Sequence, residues 1–155
     1  MQRGACKKKI SKNKKNQVWG KDRFFVGGRK PAVLVSGLEI RGTDLDGLYW
    51  RRRLFYGTYP VMGGYAIPVP PGRWRVHLHF AETEANWPGQ RHMDVRVQGK
   101  VILKDFEILE KVPFNTAFKY VFETSVEEGP LDIRFSAGLQ LLGAMVSAIE
   151  VERVE

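Results

Sequence analysis

Hydrophobic and polar residues alternate with a period of two along much of this chain, most clearly in YAIPVPPGRWRVHLHFAE, Tyr65 to Glu82. From Trp74 onward the apolar positions are Trp74, Val76, Leu78 and Phe80, interleaved with Arg73, Arg75, His77 and His79. Successive side chains of a strand point to opposite faces, so the run predicts a long strand with one buried side and one solvent-facing side. Pro70, Pro71 and Gly72 separate it from a shorter strand, since neither proline can donate a ladder hydrogen bond. The alternation returns in RHMDVRVQ, with Met93, Val95 and Val97 inward. It returns again in FKYVFETSV, where Phe118, Tyr120 and Phe122 share a face, and in LDIRF, where Leu131, Ile133 and Phe135 are expected to be buried. VILKDFEIL reads as one or two short strands, and Gln98-Gly99-Lys100 and Glu128-Gly129-Pro130 as turns. The closing AMVSAIEVERV is apolar on both sides, which suits a central strand.

Other stretches are less regular. Gly27-Gly28 predicts a tight turn and Val33 to Ile40 a short strand. LYWRRRLFYGTYPVMGG, residues 48 to 64, has neither period and reads as a structured loop rich in aromatics and arginines. TEANWPGQ is a polar loop carrying Trp87. Short strands with turns at regular spacing and no convincing helix predict an all-β, antiparallel β-sandwich of the jelly-roll type.

Charge divides the chain in two. The net charge of +8 over 155 residues looks like a nucleic-acid signal until it is located. Residues 1 to 17 hold Arg3, Lys7, Lys8, Lys9, Lys12, Lys14 and Lys15 and no acid. Removing those 7 from the 25 basic residues leaves 18 against 17 acidic ones, a near-neutral body. The expected organisation is therefore a disordered basic tail over 1–17 and one domain over 18–155. The body carries no recognised nucleic-acid motif, so nucleic acid is not the expected partner. The single cysteine, Cys6, allows no internal disulfide. No run approaches the roughly 18 apolar residues of a membrane span, and no apolar signal core opens the chain. These features favour an intracellular location without specifying a compartment.

The order of motifs carries a family resemblance. The pattern W-x-x-D-x-x-F-x-G-G from Trp19 to Gly28 is followed by LY at Tyr49, then IPVPPG with LHFAE, then DVRVQGK with KDFEI, and a final GAMVSAIEV. Over residues 18 to 155 the chain resembles the malectin family. The resemblance implies a jelly-roll-type sandwich and carbohydrate binding through loops at one end. In malectin a diglucoside is gripped by loop aromatics and by a carboxylate just before the last strand. The tyrosine of the LY segment is kept as Tyr49. The glutamate that follows it in the family is absent from Trp50-Arg51-Arg52-Arg53. Glu84 and Ala85 stand where the family has a tyrosine–phenylalanine pair, and Leu141 or Leu142 where it has the carboxylate. The family's sugar specificity therefore does not transfer residue by residue.

Sugar recognition needs a flat aromatic to stack on a pyranose face and polar groups to bridge its hydroxyls. The candidate stacking residues are Tyr49, Tyr56, Tyr59 and Trp87, with Arg52, Glu82, Asn86 and Gln140 as polar partners. Each loop aromatic could instead plug an end of the sandwich, and Glu82 could equally bond the loop backbone. His77-x-His79 with Glu84 fits the H-x-H-x₄-E ligand spacing of cupin metal sites. No further histidine follows at the required distance, so outward-facing strand histidines are the expected reading and no metal or cofactor is assigned. No nucleophile elbow, phosphate loop or meaningful carboxylate pair is present. The sequence thus points to a non-catalytic module that binds a glucose-containing oligosaccharide. The alternative is a protein-interaction module whose basic tail docks an acidic partner.

Overall fold

The computed structural model describes residues 2–5, 18–29, 36–138 and 142–155. Its framework is an antiparallel β-sandwich of three sheets. The strands are β1 (Gln2–Ala5), β2 (Phe25–Val26), β3 (Arg53–Phe55), β4 (Gly63–Ile67), β5 (Gly72–Ala81), β6 (Met93–Val97), β7 (Lys100–Phe106), β8 (Ala117–Val126), β9 (Leu131–Ala137), β10 (Ala144–Val146) and β11 (Ala148–Arg153). A four-stranded sheet runs β1-β11-β5-β8, a five-stranded sheet runs β2-β4-β9-β6-β7, and β10 pairs with β3 in a short ribbon.

The alternation in β5 becomes two different interiors. Trp74, Val76, Leu78 and Phe80 face the five-stranded sheet and meet Met93, Val95, Ile133 and Phe135 in the main core. Phe55 of the ribbon stacks on Phe135, with ring centroids 5.1 Å apart and planes at 5°. Phe80 and Phe118 both pack against Phe106, which ties β5 and β8 to β7. The β6–β7 hairpin turns on Gln98 and Gly99, both at positive φ, in the two-residue loop that the register Val97↔Lys100 requires.

On the opposite face of β5 the expectation of solvent-facing histidines fails at His79, which is only 7% exposed. A second apolar cluster of Trp19, Ile40, Leu48 and Tyr49 covers that end of the four-stranded sheet, closing over Ala81 and Ala148. The His79 and Trp19 rings stand perpendicular, with centroids 5.3 Å apart and planes at 88°. The Tyr49 hydroxyl lies 3.0 Å from His79 Nδ1, and His79 Nε2 faces Glu150 at 3.8 Å. Burial pushes the Tyr49 phenol well above its ordinary value, so the hydroxyl that meets Nδ1 stays neutral. Burial also pushes the His79 imidazole down, outweighing the upward pull of Glu150.

Three further expectations are revised. Residues 48 to 64 contain more order than a loop: a four-residue helix, α1 (Asp46–Tyr49), and strand β3. The closing AMVSAIEVERV is two strands, broken at Ser147, of which β11 is central between β1 and β5. Gln2–Ala5, inside the segment expected to be a disordered tail, pairs with β11 from Gln2↔Val151 to Ala5↔Ala148. The expected disorder over 6–17 and the expected strand residues 33–35 lie outside the described residues. Ser36 to Ile40 is not strand.

Leu78→Ala, at a site with no exposure, should lower unfolding stability by about 2–5 kcal/mol in urea titration. A second expectation concerns pH. His79 binds its proton less readily folded than unfolded, so stability should fall as pH drops through the ordinary imidazole value of about 6.5. The groups acting on the ring are Glu150, Lys119, His77 and Tyr49. Glu123 is held down by its hydrogen bond from Arg75, and Glu152 by those from His77 and Arg75, so both act only at lower pH. A His79→Gln variant should flatten the stability profile between about pH 5 and 7, read by thermal melts.

Candidate functional site

Four connections converge at one end of the sandwich: β3–β4 (residues 56–62), β5–β6 (82–92), β7–β8 (107–116) and the described parts of β9–β10 (138 and 142–143). Their geometry is set by one buried arginine. Arg91 is 1% exposed and its Nε donates to Glu82 Oε2 at 2.7 Å. Its Nη2 donates to Glu84 Oε2 at 3.1 Å, and its Nη1 donates to the Gly143 carbonyl. Glu82, also 1% exposed, accepts the backbone N–H groups of Glu84 and Ala85 on Oε1, each at 3.0 Å. Arg52 reaches in from the start of β3 to Glu84 Oε2 at 2.5 Å and Thr83 Oγ1 at 2.7 Å. Two arginines and two carboxylates thus balance in charge, with Arg52, Arg91 and Glu82 buried and Glu84 reaching solvent. Burial and the neighbouring Arg91 lower the Arg52 pKa, while Glu84 and Glu82 oppose them.

The loop that Arg91 holds carries a prominent aromatic. Trp87 is 60% exposed. Gln90 Oε1 accepts the Asn86 N–H at 2.7 Å, and buried Glu107 accepts the Gly89 N–H, so the tip is fastened at both sides. On the facing loop Tyr56 is 48% and Tyr59 65% exposed. Tyr56 lies under the Arg29 guanidinium at 5.1 Å and Tyr59 under that of Arg96 at 4.4 Å. Gly143 is required beside Tyr56, because a Cβ there would lie 2.9 Å from the Phe55 carbonyl and 3.1 Å from the Tyr56 ring. The same glycine receives Arg91, so the Tyr56 and Trp87 loops share one anchor.

The candidates inferred from sequence therefore separate. Tyr56, Tyr59, Asn86 and Trp87 are exposed at this end. Tyr49 is not a surface platform: it is 5% exposed in the second core. Arg52, at 3% exposed, and Glu82 are committed to the buried network and hold loops rather than face solvent. Gln140 lies outside the described residues.

Sequence reasoning missed two features. Glu84 keeps 44% of its side chain exposed while both arginines share its Oε2. Nearby, a pocket of about 150 Å³ opens among His92, Asp94, Lys104, Asp105 and Ser136. His92 Nδ1 is 3.1 Å from Asp105 and its Nε2 3.7 Å from Glu107, and Lys104 pairs with Asp94 at 2.7 Å. Its residues come from three strands and a loop, so no local spacing announces it. A larger opening of about 610 Å³ at the opposite end is bordered by Pro68, Pro70, Pro130 and Ala66, with no side chain to bridge hydroxyls. Among the described residues no group of three or more His, Cys, Asp or Glu could hold a metal ion, and no helix is long and apolar enough to cross a membrane.

The network yields a test. Arg91→Leu strands Glu82 as an unpaired buried charge and should cost about 3–5 kcal/mol in chemical denaturation. Arg91→Lys should also destabilise, because an ammonium cannot span Glu82, Glu84 and the Gly143 carbonyl together.

Comparison with known proteins places this geometry. The chain is 35% identical over 127 residues to mouse Malectin, a match covering 69% of this chain and 44% of that protein. It therefore spans less than half the length of that relative. Among solved structures it superposes on Bacteroides uniformis β-glucuronidase 2 with a TM-score of 0.75 at 15% identity, over 94% of this chain and 17% of that one. It superposes on the plant receptor-like kinase FER with a TM-score of 0.72 at 21% identity, over 94% of this chain and 39% of that one. At such identities these two matches speak for the fold alone. The Malectin domain model matches residues 5–147, and the chain accordingly belongs to the malectin-domain family.

Proposed function

We propose that this chain is a non-catalytic, lectin-like carbohydrate-binding module that takes a glucose-containing oligosaccharide at the Arg91-anchored loop end. The observation that carries the reading is Trp87, 60% exposed on a loop fastened by Glu82, Arg91, Gln90 and Glu107. An aromatic held out by buried ion pairs is already ordered before a ligand arrives, which lowers the entropic cost of stacking a sugar on it. Tyr56 and Tyr59 add further flat surface, each backed by a guanidinium. The exposed carboxylate of Glu84 and the amide of Asn86 supply groups of the kind that bridge neighbouring hydroxyls. Family membership supports the same reading, and the departures at Glu84 and Ala85 favour a sugar preference of this chain's own. Arg52 and Glu82 then act from within, as supports of the loops, while Tyr49 belongs to the second core.

The test is a glycan array probed with the full chain at physiological salt, alongside Trp87→Ala and Tyr56→Ala. Binding to glucan oligosaccharides is expected, with a loss of about tenfold in affinity for either variant. Silence across the array from folded protein would overturn the proposal and turn attention to a protein ligand for the same loops.

A further inference from the structure

Away from the loop end, β8 forms one edge of the four-stranded sheet. It pairs with β5 over its full length, from Ala117↔Ala81 to Val126↔Gly72, without a register shift. Beyond Ala117, whose N–H donates to the Arg41 carbonyl at 2.8 Å, its other side meets no strand among the described residues. Proteins ordinarily blunt such an edge with a proline, a bulge or a short strand. β8 has ten residues and none of these devices.

Its sequence is complementary to itself. The solvent face carries Lys119, Val121 and Glu123, and Val121 is 42% exposed. Laid antiparallel to a second β8 about Val121, the strand sets Val121 against the same residue of the second copy. Lys119 then falls opposite Glu123 of the second copy, and the symmetry repeats that pair. No like charges oppose one another in this register. Glu123 already receives Arg73 and Arg75 at 2.7 and 2.8 Å, so it is ordered for a further cation.

The inner face agrees with the charges. Phe118, Tyr120 and Phe122 are only partly buried by their own chain. Beside them a groove of about 460 Å³ runs between the two sheets, with Val97, Ile102 and Phe122 among its walls and Arg73, Lys100 and Glu127 among its polar residues. In the same register Tyr120 of the second copy lies opposite Phe122, at the mouth of that groove. Cross-strand aromatic pairs and opposite charges are the contacts that stabilise paired strands.

We propose that the β8 edge joins a second copy of this chain, merging two four-stranded sheets into one continuous sheet with a two-fold axis at Val121. Sedimentation equilibrium of the full chain at physiological salt tests this. The wild-type chain is expected to dimerise. Lys119→Glu and Glu123→Lys should each weaken the dimer by about tenfold, because each change acts twice across the axis. An equimolar mixture of the two variants should recover the affinity, since each then supplies the charges the other lacks. Val121→Glu, at an exposed position, should break the dimer while thermal melts confirm a folded monomer. A wild-type chain that stays monomeric, a dimer indifferent to these variants, or a mixture that fails to recover would each overturn the proposal.

Discussion

Arg91 spends all three of its guanidinium nitrogens inside the protein, on Glu82, Glu84 and the carbonyl of Gly143. A guanidinium buried to this degree is tolerable only when carboxylates and carbonyls replace the water it has lost. That requirement fixes three segments together: the turn after β5, the start of β6 and the approach to β10. Glu82 in turn orders the backbone of its own loop, so the exposed Trp87 is held by charges that solvent does not reach. The loop end is thus organised from beneath. Arginines and glutamates that look like ligand groups in the sequence are the frame, and the exposed aromatics stand on it.

A second constraint operates on the far side of β5. A polar histidine in the middle of an otherwise well-packed sheet needs a cover that can satisfy it, and the segments around Trp19 and α1 provide one. The W-x-x-D-x-x-F-x-G-G motif continues that function towards the ribbon. Asp22 accepts Arg53 Nε at 2.8 Å and the Tyr65 hydroxyl at 2.8 Å, while Phe25 lies 3.6 Å below the Arg53 guanidinium. Gly28, at φ +76, passes so close to Phe55 that a Cβ would fall 2.8 Å from its ring. Trp19, Asp22, Phe25 and Gly28 therefore pack this segment against the sandwich.

The strands were legible because β6, β8, β9 and the first half of β5 bury mainly one face, and a half-buried strand writes its burial as alternation. His79 and Tyr49 were misjudged for a related reason. Alternation distinguishes the two faces of a strand but cannot say whether a distant segment roofs the outer one, and here residues some thirty positions away do so. Arg52 read as a polar group open to a ligand because arginine is usually exposed; its burial rests on Glu84, a partner that no local spacing relates to it. Trp87 was readable because it sits among polar residues beside a proline–glycine turn, with no periodic apolar neighbours to bury it. The family resemblance supplied the sandwich and the end to inspect, while the chain's own departures decide what stands there.

The pairing of Gln2–Ala5 with β11 gives the four-stranded sheet a property beyond stability. With β1 in place, β11 is an inner strand, and β1 and β8 are the two outer strands of that sheet. Shortening the chain from its start, the obvious way to strip the lysines, would turn β11 into an edge and bare its backbone from Ala148 to Val151. A truncated chain would exchange its basic residues for an unpaired border along an apolar strand, and with it a tendency to stick edge to edge.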